Sequence, residues 1–276
     1  MAKITAAQVN ELRKKTGAGM MDCKKALVES DGDMEKAIDY LRKKGQKVAA
    51  KRSDRDANEG VIIAKTNSDN TYGAVVMINC ETDFVAKNED FVNFVTSVAD
   101  LAIEKMPKTA EELKALDLGG QTVADALIER TGVIGEKIEL GNFDVVESAF
   151  TAAYIHPGNR LATLVGMNKV AENVEQLGKE IAMQVAAMAP VAVDKEGVST
   201  EIIEREKEIG MEQARAEGKP EAMLEKIAMG KMNKFFKENT LLNQIFVRDG
   251  KKTVAEYLKS ADAELTVTNF KRFILG

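Results

Sequence analysis

Few side chains in this 276-residue chain could do covalent chemistry. There is one histidine, His156, and there are two cysteines, Cys23 and Cys80, 57 positions apart. A thiol nucleophile with an imidazole base would have to draw on these residues. Their spacing does not support the pair, and Cys80 alternates with Ile78 on the apolar face of a predicted strand. Two such separated cysteines form neither a disulfide framework nor a metal pair, so reduced thiols, no metal and no cofactor are expected. No Gly-x-x-x-x-Gly-Lys-Ser/Thr loop occurs. Gly17-Ala18-Gly19 is too short for a phosphate cradle and lacks the strand context that such a loop requires. What remains is contact chemistry: an acid beside a large ring, Asp83-Phe84, and a pair of methionines, Met20-Met21, behind a glycine turn.

Composition narrows the class. The chain is 45% hydrophobic and 30% charged, with 5% aromatic residues and no tryptophan, which favours helix over sheet. A net charge of −5 argues against a general binder of polyanions. The charge is uneven. Residues 1–55 hold 14 Lys/Arg against 8 Asp/Glu, net +6, and the remaining 25 against 36 give −11. A basic head on an acidic body suggests separate contact surfaces. The start, Met1-Ala2-Lys3-Ile4-Thr5, has no apolar stretch like a signal peptide, and no run of 18 apolar residues occurs. A cytoplasmic protein, away from membranes, is expected.

The head reads as three short helices. Thr5 caps the first, with Gln8 as its capping-box partner and Val9 and Leu12 on one face. Thr16-Gly17-Ala18-Gly19 ends it. Met20 to Val28 is the second. Ser30-Asp31-Gly32-Asp33 breaks it, and Asp33 caps a third that turns Ile38 and Leu41 inward and closes at Lys43-Lys44-Gly45. Lys47 to Asn58 reads as a charged linker. So small a bundle buries little and suits docking more than catalysis. Met20 and Met21 cannot both point inward from a regular turn, so one is expected outside as an adaptable contact. Packing of both is the alternative.

The body contains a repeat. Gly60 to Thr66 alternates as a strand, Asn67-Ser68-Asp69-Asn70 is a turn, and Tyr72 to Cys80 is a second strand with Val76, Ile78 and Cys80 on one face. A helix from about Asn88 carries Phe91, Val95, Val98, Ala99 and Ala102, with Pro107 beyond its end. The same order returns 85 residues later: Phe150 to His156, the turn Pro157-Gly158-Asn159, Arg160 to Gly166, then Leu177, Ile181, Val185 and Met188 at helical spacing before Pro190. This predicts two related α+β subdomains, each an antiparallel sheet with helices on one face. A residue needed only for folding should have a counterpart in both copies. Val85 does, as Val170. Asp83-Phe84 does not, for Asn168-Lys169 stands there. Either the pair contacts a partner or Phe84 packs under its own helix.

Two segments carry a family resemblance. Asn79-Cys80-Glu81-Thr82-Asp83-Phe84-Val85-Ala86-Lys87-Asn88 resembles one signature of the elongation factor Ts family, and Leu12 to Leu27 resembles the other. The order of parts is similar over essentially the whole chain. The resemblance implies an α+β fold: a ubiquitin-associated-like three-helix head with linker (1–55), subdomain N (56–143), the first part of subdomain C (144–198), a helical hairpin insert (199–239), and the remainder of subdomain C with the C-terminal segment (240–276). The insert shows in the residues as well. Ser199 to Ala216 has Ile202, Ile209 and Ala216 at sevenfold spacing. Gly218-Lys219-Pro220 turns the chain, and Glu221 to Asn239 carries Leu224, Ile227, Ala228, Met232, Phe235 and Phe236. The resemblance gives such a hairpin either self-association, making a homodimer, or contact with the partner. In the segment Leu241 to Asp249 the family often has proline where Ile245 stands, which puts the rigidity of this loop in doubt. Thr253 to Leu258 reads as a short helix and Leu265 to Ile274 as a closing strand.

The function implied is guanine-nucleotide exchange on the translational GTPase elongation factor Tu, with no enzymatic active site and no direct nucleic-acid contact. The segment Thr82-Asp83-Phe84-Val85 would intrude into the GDP-bound partner and disturb Mg²⁺ and phosphate binding, with Phe84 as wedge and Asp83 as polar anchor. Arg13, Met20, Met21, Lys24, Ile134, Gly135, His156 and Val247 match further contacts of the family. A rival expectation is a general protein-binding adaptor with a ubiquitin-associated-like head.

Overall fold

The computed structural model describes residues 4–276; Met1-Ala2-Lys3, part of the amino-terminal stretch read above for a leader, lie outside the described residues. The head is three helices, α1 (Ala6–Thr16), α2 (Met20–Glu29) and α3 (Met34–Arg52). Their starts are written locally. Thr5 and Gln8 form the reciprocal capping box, and the Asp33 side chain accepts from the Lys36 N–H. Val9, Leu12, Cys23, Ala26, Leu27 and Ala37 form the small core.

The expected end of α3 at Lys43-Lys44-Gly45 is corrected: the helix runs on to Arg52, through the first half of the expected linker. Gly45 does not terminate the helix but lets it make a close crossing. It is buried against α7 (Val123–Ile134), where a Cβ built on Gly132 would lie 2.4 Å from the Gly45 Cα. The head is thereby seated on the body.

The body has four layers. Strands β1 (Glu59–Thr66), β2 (Tyr72–Cys80) and β3 (Glu139–Glu147) form one antiparallel sheet in that order. Strands β4 (Phe150–Ile155), β5 (Leu161–Met167) and β6 (Val267–Ile274) form the other. The duplicated sheet–helix order is present in both. Val76, Ile78 and Cys80 pack under α5 (Glu89–Lys105), whose Phe91, Val95, Val98, Ala99 and Ala102 are buried as their spacing requires. Met167 and Val165 pack under α8 (Val174–Met188). Ile62, Ala64 and Val75 meet Ala162, Leu164 and Phe273 between the sheets. The alternation expected of β1 is thus not a half-wet pattern, because Gly60 through Ala64 are buried on both faces.

The repeat is looser at the strand-to-helix junctions. Asn88 and Asn173 precede α5 and α8 at matching positions, but Asn88 caps with its side chain in an extended backbone, whereas Asn173 is left-handed at φ 58° and makes no side-chain cap. The pairing of Val85 with Val170 does not hold, since Val85 packs on the core and Val170 is exposed. Met188 ends α8 exposed rather than inward.

The hairpin is α9 (Thr200–Ala216) against α10 (Glu221–Asn239). Its seam differs from the sevenfold Ile202–Ile209–Ala216 line: Ala216 is exposed, the buried residues are Gly210 and Ala214 on α9 and Leu224, Ala228 and Met232 on α10, and Gly210 lies against Ala228. Small residues here allow close helix approach. After the hairpin come α11 (Val254–Ala261) and then β6. No helix among the described residues is long and apolar enough to cross a membrane.

Two glycines in helix interiors should respond to alanine with opposite sign. Gly132→Ala drives a methyl into backbone and should destabilise by about 1–3 kcal/mol. A Cβ on Gly230 meets nothing within 4 Å, so Gly230→Ala should stabilise by about 0.5–1 kcal/mol. Denaturant unfolding of the two variants would show it; shifts of the same sign would refute the crossing.

Candidate functional site

The acid–ring pair sits on a single helical turn, α4 (Asp83–Ala86), that follows β2 directly. Thr82 caps it, its Oγ1 accepting from the Val85 N–H at 3.5 Å. One turn of helix has two sides. Val85 and Ala86 pack on the core below, and Phe84 stands outward with 84% of its surface exposed. The alternative that Phe84 packs under its own helix is overturned. Asp83 pairs with Lys87 at 2.6 Å, one turn on, and the Lys87 hydrogen bond and charge hold its carboxyl below the ordinary aspartate range.

So short a helix cannot hold itself, and two carboxylates hold it instead. Glu136 Oε2 accepts the backbone N–H groups of Glu81 (3.1 Å) and Thr82 (3.0 Å), while Glu136 Oε1 accepts the Thr82 hydroxyl at 2.7 Å. In the other direction, Glu81 Oε1 accepts the Lys137 N–H at 2.6 Å. Arg52 Nη1 donates to both Glu81 oxygens, at 2.8 and 2.9 Å. The Lys137 N–H, aided by Arg52, keeps Glu81 below the usual carboxylate range despite its partial burial. The two strands of chain are therefore cross-braced. Because Arg52 is the last residue of α3, the head is tied to the same brace.

This brace explains the place of Ile134 and Gly135. Ile134 ends α7 half-buried against the core, and Gly135 adopts φ 81°, a left-handed C-cap that side chains disfavour. The turn it makes delivers Glu136 to Thr82. Glu136, Glu81 and Arg52 are the residues that sequence reasoning did not single out. Glu81 stands inside the Asn79–Asn88 motif, but nothing local says that carboxylates 55 positions apart will cross.

The second copy of the repeat uses its equivalent residues internally. Asn168 Nδ2 donates to the Glu264 carbonyl at 2.9 Å, its Oδ1 accepts the Thr266 N–H at 2.9 Å, and Lys169 pairs with Asp262 at 2.8 Å. That junction fastens the chain entering β6. The first-copy junction leaves its ring outside.

The other expected residues fall in two places. Met20 and Met21 are both exposed, at 56% and 75%, and with Lys24 they line a groove of about 350 Å³ beside Ile4 and Val9. Arg13 lies outside that groove, exposed in the last turn of α1. His156 and Val247, far apart in sequence, share a depression of about 400 Å³ with Tyr154, Met183 and Arg248. His156 Nδ1 is 3.0 Å from the Tyr154 hydroxyl, and Val247 is 48% exposed.

Covalent chemistry finds no support. Cys23 and Cys80 are fully buried, and burial pushes the Cys80 thiol up to about 12 and that of Cys23 upward too. Among the described residues no cluster of three or more His, Cys, Asp or Glu side chains could hold a metal ion.

Comparison with known proteins shows the family. The family model for elongation factor Ts matches residues 81–276. Elongation factor Ts of Flavobacterium psychrophilum is 56% identical over 276 residues, covering all of both chains. Elongation factor Ts of Christiangramia forsetii is 54% identical with the same full coverage, and that of Amoebophilus asiaticus is 51% identical over 274 residues, 99% of each. An exposed ring on a braced junction, in a chain alike from end to end, leads to one conclusion: the chain belongs to the elongation factor Ts family.

Proposed function

We propose that this chain is a guanine-nucleotide exchange factor of translation elongation, working in the cytoplasm on elongation factor Tu. It binds the GDP-bound GTPase, and Thr82-Asp83-Phe84-Val85 enters it to disturb the Mg²⁺ and phosphate contacts. The observation that carries this is Phe84, held out at 84% exposure by a support that does not depend on its own packing.

An exchange factor needs no catalytic base. It must bind the nucleotide-free partner better than the nucleotide-bound one, and the coupling is reciprocal: the factor loosens GDP by the free energy with which GDP loosens the factor. GDP in a GTPase is held by backbone amides and by Mg²⁺ on its phosphates. Burying a phenyl ring in an apolar crevice of the partner contributes about 1.5–3 kcal/mol, enough to displace elements that orient the metal's ligands. Asp83 is the polar anchor. Its bond to Lys87 is a partly exposed pair on one helical turn, of a kind contributing little, so the carboxylate can change partners at small cost. Met20, Met21, Lys24 and Arg13 in the head, Ile134 and Gly135 behind the wedge, and His156 with Val247 supply the remaining contacts. The methionines suit this, since unbranched thioethers adapt to a partner's surface. A general adaptor would use the head alone and leave nucleotide release untouched.

Stopped-flow release of labelled GDP from elongation factor Tu tests this. Phe84→Ala should lower the accelerated rate about ten- to a hundredfold, the ratio equivalent to the lost ring burial. Its melting temperature should stay near that of the parent, as the ring packs on little of its own chain. Release that is as fast with the folded variant would refute the wedge. Glu136→Gln should both lower stability, by about 1–3 kcal/mol, and slow release with Phe84 still present, because an amide cannot accept all three hydrogen bonds. A destabilised variant with full exchange would show that the turn does not need its brace.

A further inference from the structure

Helix α8 carries polar side chains on its buried face. Glu180 and Gln184, one turn apart beside Ile181 and Val185, are 6% and 0% exposed. Both reach into the irregular segment that follows the hairpin. Gln184 Nε2 donates to Gln244 Oε1 (3.2 Å) and to the Ile245 carbonyl (3.1 Å), and its Oε1 accepts the Val247 N–H at 2.9 Å. Glu180 accepts from Arg248 at 2.6 Å, from Gln176 at 3.1 Å and from the Tyr257 hydroxyl. Tyr257 in turn stacks on the buried Phe246, with ring centroids 4.1 Å apart. Every residue from Gln244 to Arg248 is thus held from behind, by a hydrogen bond or by burial. Burial alone would raise the Glu180 carboxyl, but the Tyr257 and Gln176 hydrogen bonds and the Arg248 charge keep it below the usual range.

Buried amides and carboxylates are costly unless every bond is made, and an apolar side chain would serve packing on α8 equally well. Here the polar atoms do something packing cannot. They brace from behind a loop whose front is held by the Ile245–Thr253 bridge and by the Phe246 N–H donating to the Lys252 carbonyl at 2.8 Å, and whose Ile245 lacks the fixed φ of proline. The exposed product of that order is Val247, beside His156.

We infer that Gln184 and Glu180 are positioning residues that preorganise the Ile245–Arg248 loop, so that Val247 meets the partner GTPase as a preformed second contact. This rests on the exchange function proposed above. Order present before binding need not be created on binding, so the effect falls on affinity and not on the opening of the nucleotide site. Gln184 and Phe84 should therefore separate kinetically.

The rate of labelled-GDP release from elongation factor Tu is measured against concentration for the parent chain, Gln184→Met, Tyr257→Phe, Val247→Ala and the Gln184→Met/Val247→Ala double variant. Hydrogen exchange of the loop amides is followed in parallel. Gln184→Met should raise the half-saturating concentration about three- to tenfold, leave the saturating rate within about twofold, and speed exchange of the Val247 amide while sheet amides keep their protection. Tyr257→Phe, which keeps the ring stack and removes one bond to Glu180, should shift half-saturation the same way by about twofold, and it decides the matter if Gln184→Met does not fold. The double variant should be no weaker than its worse single parent, since both act through one contact. Unchanged half-saturation in folded Gln184→Met, a fall in the saturating rate, or additive losses would overturn the inference. Unchanged half-saturation with Val247→Ala would overturn it too, by removing Val247 as a contact. A parent chain that leaves GDP release at its spontaneous rate would instead refute the exchange function itself.

Discussion

A ring that stands in solvent cannot be held by burying it in its own protein. Phe84 must therefore be positioned through its backbone, and a helix of one turn has too few internal hydrogen bonds to fix that backbone. The crossed carboxylates supply the difference. Glu136 holds the N–H groups before the turn, Glu81 holds the chain just after Glu136, and Arg52 closes the set from the head. Charged acceptors on backbone N–H groups are among the stronger hydrogen bonds, and here they act where water is partly excluded. The rest of the site depends on this clasp.

The clasp is only as rigid as its ends. One end is β2, which packs on both faces, against α5 and against the second sheet. The other is α7, which meets α3 at the Gly45–Gly132 crossing. Duplication contributes here in an unexpected way. The second sheet does not merely repeat the first; it covers the face that a lone three-stranded sheet would leave wet. The Ile62 N–H even donates to the Asn159 carbonyl in the turn of the second hairpin, at 2.8 Å.

Local chemistry made much of this legible beforehand. Thr5 with Gln8 and Asp33 read as caps, and Asn88 and Thr253 as helix starts, because helix starts depend on neighbours within one turn; all four side chains cap. The repeat left Phe84 open between a partner contact and packing under its own helix, and the fold puts the ring outside. What stayed hidden depends on distant neighbours. Gly45 after two lysines has the form of a helix end, and only the presence of Gly132 across the crossing makes it an interior residue. Val170 was matched to Val85 by position, yet the second junction turns differently at Asn173. Glu180 and Gln184 did leave a trace, polar residues on an otherwise apolar helix face, but their partners lie some sixty positions on.

Binding strength and exchange are different tasks, and the proposed function divides the three exposed places between them. A contact made equally well with the GDP-bound and the empty partner raises affinity and cannot release nucleotide. The Met20–Met21 groove and the Val247 depression are surface features that need no change in the partner to be covered, so they suit the first task. Phe84 projects from a junction, and on the proposed mechanism it is buried only where the partner opens to admit it. The free energy of that burial is then available in one state of the partner alone, which is the condition for coupling. Arg52 ties α3 into the clasp, so on the proposed function the two tasks are joined mechanically: a head seated on the partner leaves the ring few directions in which to point.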